Sequence, residues 1–306
     1  MTINILFMGS PDYSVPILKS LNKEYNVRAV FTQPDKPSGR GKRIQAPIIK
    51  NFAESIGIPV YQPKKILFED FQPIMKSQRI DIVIVAAYGK ILPKWLLEYP
   101  KYGALNVHAS LLPRWRGASP IQAAILNGDQ ETGVTIMKMN EGIDTGDILI
   151  QKPEIVSVSE TSDSLGKKLA NLGANLIVET IELYIKGEIE PRKQDDEQVT
   201  YTGQIKKADG RLDFHLSADT LERQVRAYNP WPICFLEWDS EVLKVYGAGI
   251  SDTSEYLPNQ RGIIENYPCI GTSTHPLILK DVQSAGKKRM DGKAFLNGAR
   301  NWLLKN

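Results

Sequence analysis

The chain has 306 residues, of which 42% are hydrophobic and 24% charged, with a net charge of +3. That length suggests about two domains, and the composition is that of a soluble globular protein rather than a disordered, fibrous or disulfide-scaffolded one. No apolar run approaches the roughly 20 residues of a transmembrane helix, and a charge so near neutral leaves any nucleic-acid partner to local patches.

The first strand-like run, "INILFMG", starts at Ile3, so a cytoplasmic protein without a signal or transit peptide is expected. A helical segment around Val15 to Leu21 separates it from a second strand, "VRAVFTQ". "FTQPDKPSGRGKRIQAP", residues 31 to 47, reads as a long Gly/Pro connection. "APIIKNFAESIG" is helical, with Gly57 placed for a C-terminal cap. "IPVYQP" is a short strand, and "DIVIVAAYG" is apolar almost throughout, as a fully buried parallel strand should be. "YGALNVH" is another strand, "RGASPIQAAILNG" a helix, and "VTIMKM" the strand after it.

Strands alternating with helices predict a Rossmann-like, doubly wound parallel α/β sheet, whose ligands sit beyond the carboxyl ends of the strands. Residues 162–186 read as one long helix, followed by a polar linker-like stretch at 187–200. From about residue 207 the pattern becomes short and strand-like: "GRLDF", "CFLEW", "EVLKVYGAGI", "RGIIEN", "LILKDVQ". This predicts a small β-barrel. The expected organisation is therefore 1–188 catalytic domain, 189–206 linker and 207–306 C-terminal barrel. Cys234 and Cys269 lie far apart without metal-ligand spacing and are expected to be reduced core thiols, and no metal site is predicted. Nothing in the sequence calls for more than a monomer.

"NVHASLLPRWRGASP", residues 106–120, concentrates polar chemistry at a strand end. Asn106 and His108 are two apart in an extended segment, so they share a face while Val107 points into the core. "MNEGIDTGDIL" supplies Asp144 on a tight turn flanked by Gly142 and Gly146. An Asn and a His N–H can donate to a carbonyl oxygen gaining negative charge, and an Asp can orient or charge the His and move a proton. Without a Ser or Cys nucleophile carrying its own base, direct attack by a substrate amine fits better than a covalent intermediate. On spacing alone, a structural histidine satisfied by its neighbours is an equal alternative.

The segment "NVHASLLPRWRGASPIQAAILNGDQETGVTIMKMNEGIDTGDIL" resembles the core of folate-dependent formyltransferases. The resemblance extends over nearly the whole chain, through "MGSPDYSVPIL", "AAYGKILP", "KKADGRLDF", "AYNPWP" and "FLNGAR". It implies Asn106, His108 and Asp144 as the catalytic trio, with 10-formyltetrahydrofolate as formyl donor. It also implies a folate-binding segment at Ser110, Leu111, Leu112 and Pro113, and a pterin cleft near Tyr88, Gly89 and Ile91. Within the family the likeness is to the branch that formylates the methionine amino group of initiator Met-tRNA, with an oligonucleotide-binding-type (OB-like) C-terminal barrel. Lys36, Arg40, Lys42 and Arg43 of the 31–47 loop match the tRNA-contacting insertion. On residues alone that loop also reads as a solvated connection. Lys287, Lys288 and Arg289 form the best basic patch of the C-terminal domain and are expected to touch tRNA. Rival readings are a nucleotide-sugar N-formyltransferase, a formyltetrahydrofolate hydrolase, a nicotinamide oxidoreductase and a non-catalytic RNA-binding module. "MGSPDYS" lacks the G-x-G-x-x-G fingerprint of the oxidoreductase.

Overall fold

A computed structural model of the chain describes residues 3–38, 43–253 and 255–303. They form two compact units. The first runs to Pro120 and includes Glu131–Ile155 and Gly166–Gly203; the second comprises Ile121–Gln130, Val156–Leu165 and the chain from Gln204 onward.

The strands of the first unit are β1 (Asn4–Gly9), β2 (Asn26–Phe31), β3 (Lys36–Ser38), β4 (Arg43–Gln45), β5 (Val60–Tyr61), β6 (Ile82–Ala86), β7 (Ala104–His108), β8 (Arg116–Gly117), β9 (Glu131–Lys138), β10 (Asp147–Ile155) and β11 (Tyr201–Thr202). The helices along the same stretch are α1 (Ser14–Glu24), α2 (Ile48–Ser55), α3 (Phe68–Ser77), α4 (Lys94–Glu98), α5 (Pro120–Asn127) and α6 (Ser162–Lys186).

Seven strands make one sheet in the order β10-β9-β7-β6-β1-β2-β5. β5, β2, β1, β6 and β7 pair in parallel, which gives the Rossmann-like core that the alternating pattern predicts. Every residue of β6 and β7 is buried, as strands covered on both faces must be. β9 instead joins β7 antiparallel, and β10 returns antiparallel on β9. The short 139–146 connection carries no crossover helix, so it can only turn the chain back on itself. Phe31 stacks on Phe71 at 4.3 Å between centroids, with Tyr61 and Trp95 beside them, on the core side that holds Leu6, Met8, Val83 and Val85. α3 carries Pro73 in its interior, which is why its sequence does not read as a helix. α6 crosses β7 closely at Gly173, where an added Cβ would lie 2.7 Å from Val107 Cγ1. Val107 thus faces the core, opposite Asn106 and His108.

Two segments read as unstructured have defined contacts. The 31–47 connection contains the antiparallel hairpin β3–β4. The polar stretch read as a linker is tied into the first unit: Arg192 pairs with Ile148, and β11 pairs with β8.

The second unit contains α7 (Ala218–Ala227), β12 (Cys234–Trp238), β13 (Glu241–Ile250), β14 (Arg261–Ile264), β15 (Tyr267–Ile270), β16 (Leu277–Gln283), β17 (Met290–Asp291) and α8 (Gly292–Gly298). Its sheet is antiparallel in the order β12-β13-β16-β15-β14, with β17 added beside β16. "GRLDF" follows a 3-10 turn at Lys207–Gly210 and makes a single bridge, Arg211 to Phe235, rather than a full strand. Trp302 is buried, packs with Trp238 and Phe295, and donates from Nε1 to the Gly262 carbonyl at 2.8 Å. Trp231 is 54% exposed. His215 Nε2 lies 3.2 Å from Asn259 Nδ2, and His275 Nδ1 lies 3.2 Å from the Thr253 carbonyl.

Candidate active site

β7 ends at His108 with Asn106 and His108 on one face, both buried. The 139–146 turn between β9 and β10 brings Asp144 to them with a left-handed backbone, φ +53°. Its Oδ1 accepts from Asn106 Nδ2 at 3.3 Å and lies 3.5 Å from His108 Nδ1. Its Oδ2 accepts the Gly117 backbone N–H at 2.8 Å. His108 Nε2 lies 3.1 Å from the Trp115 carbonyl. A carbonyl only accepts, so this nitrogen carries the proton. Nδ1 then faces the carboxylate, where a second proton would make the contact an ion pair.

The loop 109–117 is held by its own polar atoms. Ser110 Oγ is fully buried and donates to the Arg114 carbonyl at 2.6 Å. Thr135 Oγ1 on β9 donates to the Ser110 carbonyl and accepts the Leu112 N–H, at 2.7 and 3.0 Å. Gln151 Nε2 on β10 reaches the Leu112 carbonyl at 2.8 Å. Leu112 packs with Met137 and Ile148, while Leu111 and Pro113 are partly exposed. Ser110 and Leu112 therefore shape the loop from inside, and Leu111 and Pro113 are the parts open to a ligand.

Gly117 sits at φ +115°, and an added Cβ would fall 2.1 Å from the Thr202 carbonyl. Only glycine allows β11 to approach so closely. Arg116, buried beside it, donates from Nε to Gln194 Oε1 and from Nη2 to Asp196 Oδ1, both at 2.9 Å. Gln194 Nε2 in turn donates to the Asp144 and Gly146 carbonyls, at 2.8 and 2.7 Å. Sequence reading missed Gln194 and left Arg116 unassigned. The only signal was a pair of arginines, Arg114 and Arg116, beside the apolar run Leu111–Pro113.

The sequence-predicted pterin residues surround the turn after β6. Tyr88 is 1% exposed, and its hydroxyl has no hydrogen-bond partner among the described residues. Burial pushes that hydroxyl up to about 12. Gly89 follows at φ +74°, and Ile91 is 72% exposed. Gln33 Nε2 donates to the Tyr88 carbonyl at 2.9 Å, which ties the turn to the end of β2.

Of the basic loop residues, Lys36 is exposed on β3, Arg43 begins β4, and Arg40 and Lys42 lie outside the described residues. The hairpin base is anchored by Lys50 Nζ, which donates to Asp35 Oδ2 at 3.0 Å and to Gln62 Oε1 at 2.8 Å. The Gln62 amide and the Lys50 ammonium hold the Asp35 carboxyl below its ordinary range. Burial, and then the charge of Lys36, lower Lys90. In the second unit, Lys287 and Lys288 are exposed, whereas the Arg289 guanidinium is paired with Asp281 and lies over the Tyr246 ring at 4.7 Å. Among the described residues no cluster of three or more His, Cys, Asp or Glu could hold a metal ion. No described helix is long and apolar enough to cross a membrane.

The formyl transferase family model matches residues 1–181, and the model of the formyl transferase C-terminal domain matches residues 204–300. The chain is 42% identical to methionyl-tRNA formyltransferase of Pseudoalteromonas translucida (strain TAC 125), over 98% of this chain and 95% of that protein. Solved structures carry the same fold. An N-formyltransferase from Helicobacter canadensis, in complex with folinic acid and dTDP-3-aminofucose, superposes with a TM-score of 0.67 at 21% identity, covering 93% of this chain and all of that one. Methionyl-tRNA formyltransferase from Clostridium thermocellum superposes with a TM-score of 0.56 at 17% identity, covering 82% and 94%. The matched models span both the parallel sheet that carries Asn106, His108 and Asp144 and the antiparallel sheet beyond it, and by that match the chain belongs to the formyl transferase family.

Proposed function

We propose that the chain transfers the formyl group of 10-formyltetrahydrofolate to the amino group of methionine on initiator Met-tRNA, giving formyl-Met-tRNA for translation initiation. The observation that carries the chemistry is the meeting of one carboxylate, Asp144, with both Asn106 and His108 at the end of β7. The acceptor rests on the near-full-length likeness to a methionyl-tRNA formyltransferase.

The methionine nitrogen attacks the formyl carbon, and the carbonyl electron pair moves to oxygen. Asn106 Nδ2 and the His108 N–H donate to that oxyanion, as preorganised donors do where charge develops. A substrate oxygen reaches His108 Nε2 by sharing or displacing the Trp115 carbonyl. The attacking amine loses a proton toward Asp144, directly or through water, and the bond from carbon to N10 breaks as N10 regains a proton.

The folate lies against Tyr88, Gly89, Ile91 and the Ser110–Pro113 segment, beside the buried Tyr88 hydroxyl, which has no partner among the described residues. Lys36, Arg40, Lys42 and Arg43 grip acceptor-stem phosphates, assisted by Lys287, Lys288 and Arg289. In this reading residues 1–188 are catalytic, 207–306 form an OB-like tRNA-holding domain, and the protein works as a cytoplasmic monomer.

The test supplies 10-formyltetrahydrofolate with charged initiator tRNA, charged elongator tRNA, an amino-sugar nucleotide, or no acceptor. Formylation of initiator Met-tRNA alone is expected. Folate release without acceptor would make the protein a hydrolase, and formylation of the sugar would replace the acceptor.

A further inference from the structure

Asp144 is the residue on which the site turns, and its left-handed backbone lies in a turn whose near half is held locally, Asn140 Oδ1 accepting from the Gly142 N–H at 3.0 Å and from Thr145 Oγ1 at 2.7 Å. The carbonyls of Asp144 and Gly146 are held by a segment far along the chain. Gln194 spends both N–H groups of one amide on that turn, one on the Asp144 carbonyl and one on the Gly146 carbonyl. The other end of the amide is fixed by the buried Arg116, itself paired with Asp196. The segment is pinned on both sides of Gln194. Arg192 exchanges backbone hydrogen bonds with Ile148 at 2.8 and 2.9 Å, and Thr200 and Thr202 accept from the Arg116 and Ala118 N–H groups at 2.9 and 3.3 Å. The same Arg116–Gly117 pair presents the N–H that holds the Asp144 carboxylate.

We infer that Gln194 is a positioning residue for the reaction, and that residues 192–202 form a brace setting the Asp144 carboxylate against His108 and Asn106. The inference rests on the reading of Asp144 as part of the catalytic trio. The amide is chemically specific. Two carbonyls need two donors on one atom, and a guanidinium fork at the back needs an acceptor. Glutamate of the same shape supplies the acceptor but turns an oxygen toward two carbonyls. Gln194 and Arg116 also line a polar cleft of about 650 Å³ with Asn140, Thr145 and Tyr201. Direct contact with the acceptor is therefore the competing role, and kinetics separate the two.

Gln194→Glu and Gln194→Ala are compared with the full-length wild type. Both are expected to lower kcat roughly ten- to a hundredfold, as misplacement of a reacting group does. KM for either substrate should stay within about twofold. The ring ¹⁵N resonances of His108, resolved among three histidines, are expected to move at one fixed pH without substrate, in variants that stay folded although Gln194→Ala melts lower as the buried Arg116 loses an acceptor. Unchanged kcat overturns the inference. A raised KM with unchanged kcat also overturns it and makes Gln194 a substrate contact. Loss of folding in both variants overturns it too, by making Gln194 a folding residue. If the wild type formylates a different acceptor, the proposed function fails, but the His108 resonances and the same variants assayed on that acceptor still test the brace.

Discussion

Asp144 Oδ1 lies 3.5 Å from His108 Nδ1, although His108 ends β7 and Asp144 lies in the turn between β9 and β10. The distance exceeds that of a good hydrogen bond and leaves room for the contact to tighten when substrate arrives. The same carboxylate spans Asn106 and the Gly117 N–H, so one side chain couples three elements of the site.

Removing any member of this group should therefore strike turnover rather than binding. Asn106→Ala, His108→Ala and Asp144→Ala are each expected to lower kcat by about 10²–10⁴-fold. tRNA affinity, measured by filter binding, should be little changed. Wild-type turnover in any one variant removes that residue from the mechanism.

The hairpin β3–β4 predicts a different kinetic signature. Arg40→Ala and Arg43→Ala are expected to raise KM for tRNA with kcat nearly intact. Each should also flatten the dependence of log K on log salt by roughly one unit, since each phosphate contact releases counterions. Kinetics unchanged across a salt series would leave the hairpin without a role in RNA binding.

Tyr88 gives opposite signs in two assays. Its buried hydroxyl lacks a protein partner among the described residues, so Tyr88→Phe removes an unsatisfied polar group. The free protein should melt at the same or a higher temperature, while KM for the folate donor rises. A lower melting temperature with unchanged folate KM would mean the hydroxyl serves the fold alone.

The cysteines should be chemically silent. Burial pushes the Cys234 thiol up to about 12 and the Cys269 thiol up to about 11, from an ordinary value of 9.0. Thiolate is the reactive form, so neither is expected to react with iodoacetamide at pH 8 until the protein is unfolded. Folding favours the neutral thiols, a contribution complete below the unfolded value and lost as pH rises through the folded ones. Stability should thus decline above about pH 9, and less steeply in Cys234→Ala. Rapid labelling of the native protein would show that the thiols are accessible.

Local patterning carried much of the structure. The uninterrupted apolar runs of β6 and β7, the helix at 162–186 and the two-residue spacing of Asn106 and His108 depend only on residues next to or near one another. Periodicity reports such relations faithfully, because burial on a sheet or helix face imposes them directly. The segments that went unread contradict their own composition. Pro73 hides α3, and the Gly/Pro content of 31–47 masks a hairpin.

What the sequence by itself determined was the parallel core, the strand end that carries Asn106 and His108, and, through motif resemblance, the chemical family. Only the tertiary structure decided the antiparallel edge β9–β10, the meeting of Asp144 with His108 and the clasp of Gln194 on the Asp144 turn. Gln194 and Asp144 are fifty positions apart, and their bond is a donor meeting an acceptor across space. No local propensity records such a partner. It exists because a part-buried carbonyl and a buried guanidinium must each be satisfied, and the polar segment that satisfies both is chosen by the folded chain.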